Sequence, residues 1–237
     1  KDAGFKGMVL TIDTIVGGNR ERDARSGLSI PPRLTVKSTL QYMLRPVWLF
    51  HYLRSDGANM GNFPEMPKVT LGDSKAFVEA MSKLFKKDLT WADAEHMIQQ
   101  WGGPFAVKGV MSVQDALRAK EVGASAVILS NHGGRQLDCT PSPIELVEEV
   151  RQAVGPEMEI IVDGGIRRGT DIFKALALGA NACSLGRAYV RGLSAGGQAG
   201  AEKALSILEG EFKRCMILAG CSSIDQISSE HVRKISP

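Results

Sequence analysis

Five short apolar runs punctuate the chain, and each ends in polar or glycine residues. They are MVLTID (Met8 to Asp13), FAVKG (Phe105 to Gly109), AVILSN (Ala126 to Asn131), IIVDGG (Ile160 to Gly165) and ACSLGR (Ala182 to Arg187). The runs are continuous rather than alternating, which predicts parallel strands covered on both faces. Between them lie patterns of helical period: Ser112 to Val122, Ser142 to Val154 and Gly169 to Leu178. Ser112 and Ser142 stand where N-caps belong, and Gly123 and Gly179 where helices stop. Further helices are predicted over Ser74 to Phe85, Trp91 to Trp101 and about Gly197 to Ala219. The spacing is that of βαβ units.

Strand–helix alternation with polar residues at every strand's C-terminal end predicts a (β/α)8 TIM barrel, whose chemistry gathers at that face. A doubly wound sheet is the runner-up, but no GxGxxG opens a helix after an early strand. Five strands are fewer than a closed barrel needs, and an unclosed parallel sheet leaves two unpaired edges. The expectation is that residues 1–237 supply about the last five βα units of one barrel domain, and that the first three units are absent from this chain.

One segment breaks the pattern. LTVKSTLQYMLRPVWLFHYLR, Leu34 to Arg54, opens a long connection over residues 34–70. It mixes aromatic and aliphatic residues with Lys37, Arg45 and Arg54, and Pro46 divides it. That composition suits an amphipathic patch lying in a membrane interface; packing on the barrel or on a neighbouring subunit is the alternative.

The chain has 237 residues, of which 43% are hydrophobic and 23% charged, an ordinary soluble composition. The net charge of +3, with no long basic block, suits small anionic ligands and argues against a nucleic-acid partner. No apolar run reaches the roughly 20 residues of a membrane span, and the opening KDAGFKG has no signal-peptide pattern. The four cysteines show no CxxC spacing, which predicts free thiols and no metal site.

Placing each polar residue at its strand end assembles the candidate chemistry. The first strand contributes Thr11 and Asp13, with Arg20 in the following loop, and the second contributes Lys108. The third contributes Ser130, His132 and Arg135, the fourth Asp163, Gly165 and Arg167, and the fifth Gly186 and Arg187. DGGIRRG and LGR follow the last two strands, where barrels often hold a phosphate. Glycines there admit phosphate oxygens to backbone N–H groups, and arginines neutralise the charge. Two arginines facing a histidine suit a small carboxylate held beside a base. Lys108 is costly to bury unpaired, so it should face an anionic partner, and a salt bridge across the mouth is the plainer alternative.

SNHGGRQLD, with VKG before it and DGGIRRGTDIFKALALGA and LGR after it, resembles the FMN-dependent L-2-hydroxy acid dehydrogenases and oxidases, from Met8 to about Glu230. The resemblance implies oxidation of a lactate-, mandelate- or glycolate-type acid to its 2-keto acid. His132 would be the base, Asp13 its partner, and Arg135 and Arg20 the substrate-carboxylate ligands. Lys108 would sit beside the flavin, Thr11 and Ser130 would contact its ring, and Asp163 would hold the ribityl chain. Gly165, Arg167, Gly186 and Arg187 would bind the phosphate. The Leu34 to Arg54 segment resembles the membrane-associated members. That implies a cytoplasmic protein, peripheral on the inner face of the membrane, passing electrons to a quinone or other respiratory acceptor rather than to oxygen. It further implies a homo-oligomer, and a chain inactive without an N-terminal half of the barrel.

Two other readings compete. A barrel like inosine-monophosphate dehydrogenase needs a catalytic cysteine loop, and Cys139, just past SNHGGRQLD, sits instead in an ordinary turn setting. A non-catalytic half-barrel, stable only by association, is the third.

Overall fold

The computed structural model describes residues 2–26, 35–54 and 85–235. They fall into two compact units, Lys1–Gly18 with Asp88–Pro237, and Asn19–Lys87.

The larger unit is built on a five-stranded parallel sheet in the order β1-β2-β3-β4-β5. The strands are β1 (Met8–Thr11), β2 (Phe105–Val110), β3 (Ala126–Ser130), β4 (Glu159–Asp163) and β5 (Ala182–Ser184). All five apolar runs are therefore strands, and chain order equals spatial order, as in one wall of a barrel. Among the described residues β1 and β5 each pair on one side only.

The period of two along each strand separates two surfaces. Val107, Val127, Leu129, Ile160 and Val162 are fully buried on the outer face, where they meet the helices in one core. Each such burial contributes about 1.5–3 kcal/mol. The inner face carries a smaller cluster of Ala106, Ala126 and Ile128 with Ile161 packed on it. Thr11, Lys108, Ser130 and Asp163 have the same parity as those inner residues, so they continue the inner face at the C-terminal strand ends.

The connecting helices follow the predicted pattern. We number the described helices in chain order, beginning with α1 (Glu21–Ser26), α2 (Val36–Met43) and α3 (Pro46–Arg54) of the smaller unit. In the larger unit α4 (Trp91–Trp101) opens on a capping box, with the Thr90 N–H donating to Asp93 at 2.8 Å and the Asp93 N–H to Thr90 at 3.3 Å. α5 (Val113–Glu121) is capped by Ser112, which accepts from the Asp115 N–H at 3.0 Å. α6 (Pro143–Val154) begins after Ser142 with proline in its first turn, and α7 is Gly169–Ala177. The last helix departs from expectation: α8 runs Arg187–Leu218, starting ten residues before Gly197, with its break at Gly196–Gly197. The segment LGR follows β5, as expected, and turns directly into α8. A Cβ on Gly192 would lie 2.3 Å from the Gly200 carbonyl oxygen, so the two limbs of α8 touch backbone to backbone. The helix expected over Ser74 to Phe85 lies, but for Phe85, outside the described residues.

In the smaller unit α2 is capped by Thr35, and Pro46 opens α3 rather than merely interrupting a run. Tyr42, Trp48 and Tyr52 stack with centroids 5.1 and 5.0 Å apart. Val36, Leu40, Met43, Val47, Phe50 and Leu53 all stand more than half exposed. No helix among the described residues is long and apolar enough to cross a membrane.

At the N-terminal side of the sheet, Arg151 ties three segments together. Its guanidinium donates to the carbonyls of Gly155 (2.6 Å), Met158 (2.8 Å) and Gly179 (2.9 Å), and it also reaches Asn181. Arg151→Met should leave those carbonyls without their donor and lower unfolding free energy by about 2–3 kcal/mol; a denaturant titration with an unchanged midpoint would contradict this.

Candidate active site

Ser130 is the hub of the inner face. It is fully buried, the one buried polar or charged residue among the described residues. Its Oγ donates to Asp163 Oδ2 at 2.7 Å and accepts from Lys108 Nζ and from the His132 N–H, each at 3.1 Å. Lys108 also forms an ion pair with Asp163. The register explains the reach. Ser130 is level with Asp163, whereas Lys108 is level with Ile128, one inner layer lower. The lysine therefore climbs past β3 and joins β2 to β4.

Burial pushes the Asp163 carboxyl upward. The hydrogen bonds from Lys108, Ser130 and Ser184 and the lysine charge outweigh that and hold its pKa below the usual carboxylate range.

Beside this cluster stands His132, in a left-handed conformation (φ 55°), followed by Gly133 and Gly134 at φ 66° and 71°. A non-glycine residue held there is uncommon and marks a backbone constrained by its surroundings. The His132 Nδ1 faces Asp13 Oδ1 at 3.3 Å, with side chains 32% and 15% exposed. A carboxylate at Nδ1 favours the tautomer with its proton there, leaving the Nε2 lone pair for another molecule.

Asp13 reaches this place because β2 bulges. The pairing with β3 shifts between Lys108 and Val110, across Gly109 at φ 99°. A Cβ on Gly109 would lie 2.8 Å from Asp13 Cβ and Cγ. Only glycine satisfies both the dihedral and the contact.

The last two strand ends form a cradle. Gly164 and Gly165 take φ of 124° and 77°, and the space that a Cβ would fill at Gly165 and at Gly186 is empty to 4 Å. Gly186 is the N-cap of α8, whose first N–H groups lie beside it. Arg187 donates to the Gly133 carbonyl at 3.1 Å, linking the cradle to the histidine loop. Arg167 is exposed, and its N–H donates to Asp171 at 3.0 Å.

The larger unit thus brings together Thr11, Asp13, Lys108, Ser130, His132 and Asp163, with Gly165, Arg167, Gly186 and Arg187 at the next two strand ends. Arg135 lies one turn past His132, its N–H bonded to the His132 carbonyl at 3.3 Å. Arg20 belongs to the second unit, Asn19–Lys87, and so is not among the residues this unit assembles. Gln136 was not singled out from the sequence although it lies within SNHGGRQLD. Its amide bonds to the loop after β1. Cys139, Cys183, Cys215 and Cys221 are free. Cys183 is on the outer face of β5, and burial, with Asp171 nearby, pushes its thiol up to about 11, so it stays protonated at neutral pH.

A parallel wall of βα units that presents charged inner residues at its C-terminal strand ends is that of a (β/α)8-barrel enzyme, here in part. The chain belongs to the FMN-dependent dehydrogenase family, whose pattern matches residues 1–234. It is 38% identical to a peroxisomal (S)-2-hydroxyacid oxidase of Arabidopsis thaliana over 98% of its own length and 57% of the relative's. It is 37% identical to an L-lactate dehydrogenase of Xanthomonas campestris over 100% of this chain and 61% of that one. A solved (S)-mandelate dehydrogenase, described as a monotopic membrane protein, superposes with a TM-score of 0.91 at 35% identity, covering 99% of this chain and 61% of that one. The chain therefore spans little more than half the length of these relatives.

Asp163 supplies a test of the cluster. Its folded pKa lies below its unfolded value near about 4. The stability it contributes is therefore complete above that value and is lost as pH falls through the lowered one. Asp163→Asn should flatten the acid side of the stability profile below about pH 4. It should also cost about 2 kcal/mol at neutral pH by leaving Lys108 without its counter-charge, less than for a fully buried pair. An unaltered profile in acid unfolding would contradict the assignment.

Proposed function

We propose that the protein containing this chain oxidises an L-2-hydroxy acid to the 2-keto acid with FMN, and that the strand-end cluster described above binds both. The observation that carries this reading is the juxtaposition of the Asp13–His132 pair with the Lys108–Ser130–Asp163 cluster on one inner face.

The residues fit an FMN. Open space at Gly165 and Gly186, the α8 N-terminus and the adjacent Arg167 and Arg187 suit its phosphate. Lys108, with Thr11 and Ser130 on the same face, suits the polar edge of a flavin ring, and Asp163 a ribityl hydroxyl. When bound, the flavin supplies the acceptor for the two electrons that leave the substrate. The protein groups do the remaining work. Arg135 holds the substrate carboxylate, and Arg20 is the second guanidinium that the family resemblance implies. His132 takes the leaving proton at Nε2. Asp13 stabilises the imidazolium so formed.

The acceptor is a membrane-bound respiratory carrier in this proposal, a quinone or its equivalent. The exposed apolar residues of α2 and α3, with Arg45 between the helices and Arg54 at the end of α3, suit an interfacial anchor within residues 34–70. The 0.91 superposition on a monotopic membrane protein supports the same reading. Oxygen is the alternative acceptor, favoured by the identity to the plant peroxisomal oxidase. The one-sided pairing of β1 and β5 supports completion of the barrel by further strands of an N-terminal half, without which activity is not expected.

Anaerobic addition of L-lactate, glycolate or L-mandelate to the full-length yellow protein should bleach the flavin spectrum; no bleaching by any of them would overturn the proposal. His132→Gln should keep the flavin and slow its reduction by about 10²–10⁴-fold. Arg135→Lys should raise the apparent substrate Kd by about tenfold or more, because lysine cannot pair bidentately with a carboxylate. Replacing residues 34–54 by a short polar loop should move the protein from the membrane pellet to the supernatant with flavin reduction retained. A native protein that never sediments with membranes would contradict the anchor.

A further inference from the structure

The loops after β1 and β3 are joined by one side chain. Gln136 Nε2 donates to the Asp13 carbonyl at 2.8 Å and to the Val16 carbonyl at 2.9 Å, while its Oε1 accepts the Gly18 N–H at 3.2 Å. Two carbonyls on one side and an N–H on the other fix which end of the amide is which. Asparagine has the same groups but is one methylene too short to span them. The contact is steric as well. A Cβ on Gly18 would lie 2.1 Å from the Arg135 carbonyl oxygen and 2.7 Å from Gln136 Cα, so the first loop lies flush on the backbone of Arg135 and Gln136.

Asp13 needs this support because its own side chain is weakly held. Its bond to His132 is long at 3.3 Å, and its Oδ2 is buried with no hydrogen-bond partner among the described residues. A carboxylate with one long bond and one orphaned oxygen does not locate itself. Its position is set by the wall at Gly109 and by the hold of Gln136 on its backbone carbonyl.

We infer that Gln136 is a positioning residue for substrate oxidation, acting through Asp13 to set the His132–Asp13 distance and through the shared loop to place Arg135. This rests on the roles proposed above for Asp13 and His132. Displacement of about 1 Å in such a pair can cost on the order of 10²-fold in rate.

The test uses the full-length FMN-loaded protein and anaerobic flavin reduction by L-lactate. Gln136→Leu keeps side-chain bulk and removes all three bonds. The expected result is a reduction rate lower by about 10- to 100-fold. In the Asp13→Asn background the same substitution should change the rate by less than about threefold, since two residues acting through one contact are not additive. Hydrogen exchange at the Gly18 amide should accelerate in Gln136→Leu, reporting the lost bond apart from turnover. If Gln136→Leu does not accumulate as folded protein, Gln136→Glu carries the same comparison, because it keeps the acceptor for Gly18 and loses both donors. An unchanged rate, or an equal fall in both backgrounds, overturns the inference and leaves a loop staple. A rate indifferent to Asp13→Asn itself would overturn the role proposed for Asp13, a separate failure.

Discussion

The ion pair between Lys108 and Asp163, closed by Ser130, is the constraint around which the inner face is organised. Charged groups on the concave side of a parallel sheet are costly unless they meet each other or a ligand. Here the lysine lies one layer below its partner and reaches across β3, so the pair holds only if three strands keep their register. A one-residue slip of β3 would turn Ser130 to the outer face and leave both charges without their hub. Electrostatics thus reinforces the alignment that hydrophobic burial on the outer face establishes. It also leaves a cation at the strand ends with its charge already partly balanced.

Above that layer the structure accepts local strain. His132 sits in the left-handed region, and β2 bulges at Gly109 to let Asp13 in. These features place an imidazole and a carboxylate face to face from loops that follow different strands. Rigid strands supply the platform and irregular backbone supplies the aim, a common division of labour in barrels. Gln136 then couples the two loops, so that His132, Asp13 and the adjacent Arg135 belong to one hydrogen-bonded assembly rather than to independent loops.

The smaller unit obeys a different rule. The larger unit buries the outer-face valines and leucines of β2 to β4, whereas α2 and α3 present apolar and aromatic side chains outward beside basic ones. Stacking of Tyr42, Trp48 and Tyr52 gives that surface internal order without hiding it. Such a surface is expensive in water and inexpensive in an interface.

Local information in the sequence was sufficient for all five strands, for the N-cap positions Ser112 and Ser142, and for the polar strand endings. Continuous apolar runs and capping residues act over a few positions, and their physics is nearly independent of what lies far away. The motif SNHGGRQLD likewise identified the histidine loop. What the sequence left undecided involved distant partners. Lys108 could have faced a ligand or a salt bridge, and the partner 55 residues on is Asp163. Asp13 and His132 are 119 residues apart, and the hold of Gln136 on Asp13 spans 123. Gly109 reads as one more strand glycine until Asp13 is packed against it. The true start of α8 at Arg187 was hidden because a glycine-rich segment has weak helical preference by itself and gains its helix by packing its two limbs at Gly192 and Gly200. Sequence alone determined the elements and their chemical endings; tertiary structure decided which endings meet, because those meetings depend on strand register and on a bulge that no local preference encodes.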